Sequence, residues 1–232
     1  MFYWDPNYLL FVMLPTLVIT GLAQMWIQSA YRKWGQTANS RSVNGQQTAQ
    51  ILMRSGSIEP ISVEVTGGQL SDHFDPQRGV VRLSQGVAMQ PSVAAMAVTA
   101  HELGHVQQHQ QNSLLMGLRT ALLPGARFGP SIGILLIIAG LFLNATGLAT
   151  IGLILFAGAT LFTVVTLPVE LDASRRGLKM LEQNGLLATA QDRSGSRAIL
   201  TAAAFTYVAA VFTSLLTLMY YASLVFGGNR RN

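Results

Sequence analysis

Four apolar blocks limit what this chain can fold into. The first, YLLFVMLPTLVITGLAQMWI from Tyr8 to Ile27, is about the 20 residues that a helix needs to cross a bilayer. Pro15 and Gly21 within it would weaken a soluble helix but are tolerated in membrane spans. Two further blocks, Pro130 to Leu148 and Ala149 to Leu167, are separated only by the small-residue stretch NATG at 144–147. They read as a helical hairpin that crosses and returns. The last block, Ala198 to Phe226, is long enough for one span with a turn or two to spare. Composition agrees: half of the residues are hydrophobic and 11% are charged, against roughly 25% charged in soluble domains.

The blocks divide the chain into a membrane anchor at 1–28, a polar domain at 29–129, the hairpin at 130–168, a polar segment at 169–197, and a final helix with its tail at 198–232. The opening MFYWDPN holds aromatics suited to a membrane interface and no Lys or Arg, so the first block reads as a retained anchor, not a cleaved signal. With four spans, the loops at 28–129 and 168–197 share one side and carry 13 of the 15 Lys and Arg residues. The positive-inside rule then places the polar domain in the cytoplasm, and both termini outside, of a multi-pass protein in the cell membrane. The net charge of +5 is scattered between apolar blocks and builds no basic patch with stacking aromatics, which argues against nucleic acid as a partner.

Within the polar domain, GQQTAQILMR at 45–54 reads as an amphipathic helix closed by Gly56. ISVEV at 61–65 alternates as a strand does, and GG at 67–68 and DPQRG at 75–79 are turns, the second leading into VVRLS. A small sheet follows from this pattern, with VVRLS as an edge strand along which an extended peptide could pair. Ser92 is placed to cap a helix running through SVAAMAVTAHELGHVQQHQ.

That helix carries the chemistry. His101 and His105, four residues apart, differ by about 40° around a helix axis and about 6 Å along it, so both rings can reach one metal ion. Glu102 is positioned as the general base toward a metal-bound water, the arrangement of a zinc hydrolase. With no cysteine in the chain, metal ligands must be histidines or carboxylates, which suits Zn2+ bound by two His and one acid. His109 lies about 80° and 12 Å from His101, too far to share the ion, and Gln108 and Gln111 exclude a metzincin-type third histidine. The third ligand is therefore sought among the ten acidic residues, where Glu170 and Asp172 stand out at the end of the hairpin's second half. A carboxylate near a span is costly enough to need a purpose. Pro168 can kink the chain or start a new helix that aims Glu170 back at the domain, while Asp172 and Arg176 have ion-pair spacing. His73, in the DHFDP turn, is a candidate donor to the oxyanion of a tetrahedral intermediate.

HELGH at 101–105 together with ELDASRR at 170–176 resembles the membrane-anchored gluzincins. The fuller pattern, with MFYWDP at the start, LSDHFDP at 70–76, VRLS at 81–84, SVAAMAVTAHELGH at 92–105 and LPVELDASRR at 167–176, resembles the YugP-type neutral zinc metallopeptidases. The resemblance covers the whole chain. It implies a mainly α membrane protein with about four transmembrane helices and a cytoplasmic α+β zincin-like domain that carries a small β-sheet and the HExxH helix. It further implies a zinc-dependent endopeptidase with His101, His105 and Glu170 as ligands and Glu102 as base, acting on peptide or protein substrates at the bilayer. The wider gluzincin pattern has an acid four residues after the third ligand, where this chain has Ser174. Asp72, Asp75 or Asp172 would have to orient a zinc histidine in its place.

Two other readings compete. An intramembrane, site-2-type zinc protease would use Asp172 as a ligand, but too few apolar residues flank HELGH to make a span. A non-catalytic membrane scaffold with a structural zinc site would have no use for Glu102. Small-residue faces such as GILLIIAGLFLNATG suit packing of spans within one chain or between the chains of a homo-oligomer.

Overall fold

The computed structural model describes residues 5–227. The aromatic start at 1–4 and the tail residues Arg230 and Arg231, used in the topology reading, lie outside the described residues. The described chain is mainly helical: α1 Pro6–Gly35, α2 Gly45–Arg54, α3 Gln85–Met89, α4 Val93–Gln110, α5 Leu114–Phe142, α6 Thr146–Gln183 and α7 Ala190–Gly227, with strands β1 Ser62–Thr66, β2 His73–Asp75 and β3 Val80–Ser84. Among the described residues four helices, α1, α5, α6 and α7, are long and apolar enough to cross a membrane, which matches the four blocks.

The chain divides into two compact units. One comprises residues 1–23, 117–168 and 206–232 and holds most of the apolar helical surface. Here α5 and α6 approach through small residues. A Cβ on Gly133 would lie 2.8 Å from the Gly152 carbonyl oxygen, and one on Gly152 would lie 2.6 Å from that of Gly133. Only glycine permits such backbone contact, as in other tightly packed membrane helices. Asn144, with φ 52°, turns the chain between them. Polar ties in this unit include the Thr163 and Ser214 hydroxyls, which meet at 2.8 Å, and Tyr220, which donates to Asp5 at 2.7 Å.

The other unit, residues 24–116 and 169–205, contains the sheet, the histidine helix and the C-terminal part of α6. Leu52, Val81, Leu83, Met96, Leu103, Val106, Met180 and Leu181 are buried in one core. The Asn44 and Gln47 side chains cap the start of α2 reciprocally, and the Ser92 hydroxyl accepts from the Ala95 N–H at 3.1 Å at the start of α4. Gly56, with φ 74°, follows α2, as its place after the amphipathic pattern predicts.

Three expectations need correction. VVRLS is not an edge strand: the order is β1-β3-β2, with β3 parallel to β1 and antiparallel to β2. Four of its five residues are buried, the burial of a strand covered on both faces and paired on both sides. His73 lies on β2 and not in a turn, paired in register with Arg82; at three residues, HFD is too short for alternation to reveal. Finally, Pro168 neither ends nor restarts a helix. It sits inside α6, and Glu170, Asp172 and Ser174 follow it on the same helix.

Candidate metal centre

The centre lies entirely within the unit of residues 24–116 and 169–205, where α4 crosses the C-terminal part of α6. The crossing is set by two glycines. A Cβ on Gly104 would overlap the Ala173 carbonyl, and one on Gly177 would stand 2.7 Å from the Ala100 carbonyl oxygen. With neither Cβ present, backbone meets backbone, and side chains within two turns of the contact on each helix are brought into a shared space. On α4 those are His101 and His105; on α6 it is Glu170.

Glu170 Oε2 stands 3.2 Å from His101 Nε2 and 3.4 Å from His105 Nε2. Donor atoms held about 2.05 Å from a zinc ion in tetrahedral geometry are about 3.3 Å apart, so both separations suit a shared ion. One ligand atom from each of the three residues lies within 4.8 Å of the others. Three protein ligands with a fourth position open is the catalytic pattern. Two imidazoles and a carboxylate, with no thiolate in the chain, form a donor set that fits zinc. Glu170 is 3% exposed, and burying an acid this deeply requires compensating charge. The imidazoles stand within hydrogen-bonding reach of the acid, and a divalent cation would supply the charge.

Glu102 is also buried, 7% exposed, on the same turn as His101. Burial raises its pKa by disfavouring the carboxylate, against the opposing pull of the two imidazoles. A raised carboxyl is better suited than an ordinary one to take and return a proton near neutral pH. Burial by itself would lower the His105 pKa, but the hydrogen bond and charge of Glu170 outweigh it and the pKa is raised.

Each histidine is also held from behind. His101 Nδ1 meets Ser174 Oγ at 3.1 Å, and His105 Nδ1 meets Gln108 Oε1 at 3.0 Å. Neither Ser174 nor Gln108 stands out in the sequence as a site residue, although spacing could have found both: Gln108 lies three residues after His105 and Ser174 four after Glu170, each on the same helical face. Asp172 stays outside the ligand group and pairs with Arg176 at 2.6 Å. Asp72 accepts from the Ser84 N–H and hydroxyl, and Asp75 from the Gln77 and Arg78 N–H groups and from Arg82, so those two acids serve the sheet and its turns.

His73 is not brought to the group. Its exposed ring places Nδ1 2.8 Å from the Ser71 carbonyl, which can only accept, so Nδ1 carries the proton and Nε2 faces Arg82 at 3.4 Å. The oxyanion role expected of it has no support from these contacts. His109, set aside by helix geometry, is exposed and packs its ring 5.6 Å from that of Phe74.

Comparison with known proteins gives two matches. A family model described as "Putative neutral zinc metallopeptidase" matches residues 9–226. The protein named "Putative membrane protease YugP" of Bacillus subtilis (strain 168) is 34% identical over 223 residues, which cover 96% of this chain and 99% of that protein. No solved structure shows significant similarity.

Proposed function

We propose that this chain, which belongs to the neutral zinc metallopeptidase family, is a membrane-bound zinc endopeptidase whose centre is His101, His105 and Glu170 with Glu102 as general base. The observation that carries this reading is the convergence of His101, His105 and Glu170 within ligand distance of one another beside a buried acid that is not needed as a ligand. A site that only stabilised the fold would have no use for Glu102.

Zinc, when bound, polarises a peptide carbonyl and acidifies a water. Glu102 then takes the proton released as the water oxygen adds to the carbonyl carbon and passes it to the amide nitrogen as the C–N bond breaks. One water is consumed, its second proton follows the first to the leaving nitrogen, and a carboxylate and an ammonium are formed. Glu102's raised pKa favours the second transfer, because an acid that holds its proton more strongly can carry it to the leaving amine within the dry site. The charge count along the chain supports a cytoplasmic position for the centre, with the bilayer holding the four spans.

The test is hydrolysis itself. Protein purified in detergent is incubated with an unfolded protein substrate, and new N-termini are identified by mass spectrometry. The proposal predicts internal cleavage that stops when a zinc chelator is added and returns with added zinc. Cleavage that survives full removal of the metal would refute it.

A further inference from the structure

Gln108 is the most deeply buried polar side chain beside the centre, 1% exposed, and all of its hydrogen-bonding atoms are engaged. Its Nε2 donates to the Val169 carbonyl at 2.9 Å and to Asp172 Oδ2 at 2.8 Å. Both amide hydrogens are then spent, and an amide flip would set an oxygen against two acceptors. The atom facing His105 Nδ1 at 3.0 Å must therefore be the oxygen. An amide oxygen only accepts, so Nδ1 carries a proton, and Nε2, on the side of Glu170, is the nitrogen left to give its lone pair to a metal. Asp172 in turn accepts from Arg176 Nε at 2.6 Å, and Arg176 donates to Gln107 and Gln111. The result is an unbroken chain from His105 through Gln108 and Asp172 to Arg176 that crosses from α4 to α6.

From this chain we infer that Gln108 is a positioning residue that locks His105 in its Nδ1–H tautomer for metal binding, with Asp172 acting on His105 only through the Gln108 amide. The inference rests on the zinc reading above. It answers the question raised by Ser174: among the described residues, the Nδ1 atoms of His101 and His105 face a hydroxyl and an amide, not a carboxylate. A serine stands behind His101, and an amide stands between His105 and the nearest such acid. Metal histidines in general depend on such partners for ring orientation and basicity, and loss of one weakens metal binding by about 10- to 100-fold.

Three proteins test it: wild type, Gln108→Met, and a double variant with Gln108→Glu and Asp172→Asn. The double variant exchanges amide and carboxyl: the buried carboxyl keeps its proton for the Val169 carbonyl, so an oxygen still accepts from His105, the amide at 172 still donates to position 108 and its oxygen still faces Arg176. Zinc affinity is measured by competition with a chelator, and the hydrogen bond from His105 Nδ1 by the 1H and 15N shifts of histidine-labelled, zinc-loaded protein, where the metal takes the Nε2 lone pair. Wild type should show a downfield, slowly exchanging Nδ1–H signal. Gln108→Met should lose it and bind zinc about 10- to 100-fold more weakly, while the double variant should keep it and recover to within about fivefold of wild type.

Zinc affinity within about twofold of wild type in Gln108→Met, with the Nδ1–H signal unchanged, would overturn the inference. So would a double variant no better than Gln108→Met. Should Gln108→Met fail to fold, the double variant carries the test alone. A wild-type protein that takes up no zinc overturns the zinc reading and this inference with it, and is told apart from failure at Gln108 alone, which appears as equal zinc binding by all three.

Discussion

Replacing Gly104 with alanine sets local preference against packing in a way that can be measured. In a helix interior alanine is favoured over glycine by about 1 kcal/mol, so helix propensity alone predicts a more stable protein. The structure predicts the reverse. The added Cβ would overlap the Ala173 carbonyl of α6, and restoring an ordinary contact of about 3.5 Å requires the helices to part by roughly 1 Å. Overpacking of this kind costs about 1–3 kcal/mol. The functional cost is larger, because Glu170 lies on α6 and the two histidines on α4, with separations of 3.2 and 3.4 Å. Metal sites tolerate errors of about 0.2 Å in ligand distance, so a displacement of roughly 1 Å moves Glu170 out of the group. Zinc affinity of Gly104→Ala, measured by chelator competition, should fall by at least about 100-fold, to the level of a site with one ligand lost. Gly117→Ala is the control: it is helical, a Cβ there meets nothing within 4 Å, and zinc binding should be unchanged. Should Gly104→Ala bind zinc as tightly as wild type, the claim that backbone contact between α4 and α6 sets the ligand spacing is wrong.

Other predictions follow from single contacts. Glu170→Gln should lower zinc occupancy far more than Asp172→Asn, since Glu170 faces both imidazoles and Asp172 reaches only one of them through Gln108; elemental analysis of the purified variants reads this directly. His73→Ala should leave zinc binding and cleavage unchanged, because its ring contacts Ser71 and Arg82; a large loss of cleavage would restore it as an oxyanion donor. Burial raises the Asp72 pKa above its ordinary value despite hydrogen bonds from Ser84. Its contribution to stability is therefore fully present below the unfolded pKa of about 3.9 and is lost as pH rises through the folded pKa. Asp72→Asn, which can still accept from the Ser84 N–H, should gain on wild type in thermal melts as pH is raised through that window, and a constant difference would contradict the assignment.

The membrane architecture was legible because span length depends only on bilayer thickness, and four blocks of the required length stand clear of the polar segments. The α4 start at Ser92 and the metal spacing of His101 and His105 were legible for a similar reason, since capping and the i, i+4 relation are local. Glu170 was reached by elimination among few acids and by family resemblance; the contact itself depends on Gly104 and Gly177, whose role appears only once two helices meet. Sheet order was out of reach. The β1–β3 pairing is parallel and skips over β2, and HFD carries no periodic signal. Gln108 and Ser174 were marked only as departures from metalloprotease patterns, because neutral polar residues on a helix are usually solvated and only burial gives them a role. Of the two effects open to Pro168, a kink or a new helix start, the second does not occur, because the helix continues through it.

The central claim is that Glu102 does chemistry at a metal held by other residues. It is tested most directly by comparing wild type with Glu102→Gln, reading zinc content and cleavage of an unfolded protein on the same detergent-purified samples. The account predicts equal zinc in both proteins and cleavage lowered by about 10²- to 10⁴-fold in the variant, the range for loss of a general base. Equal cleavage by the two proteins at equal zinc content would contradict it.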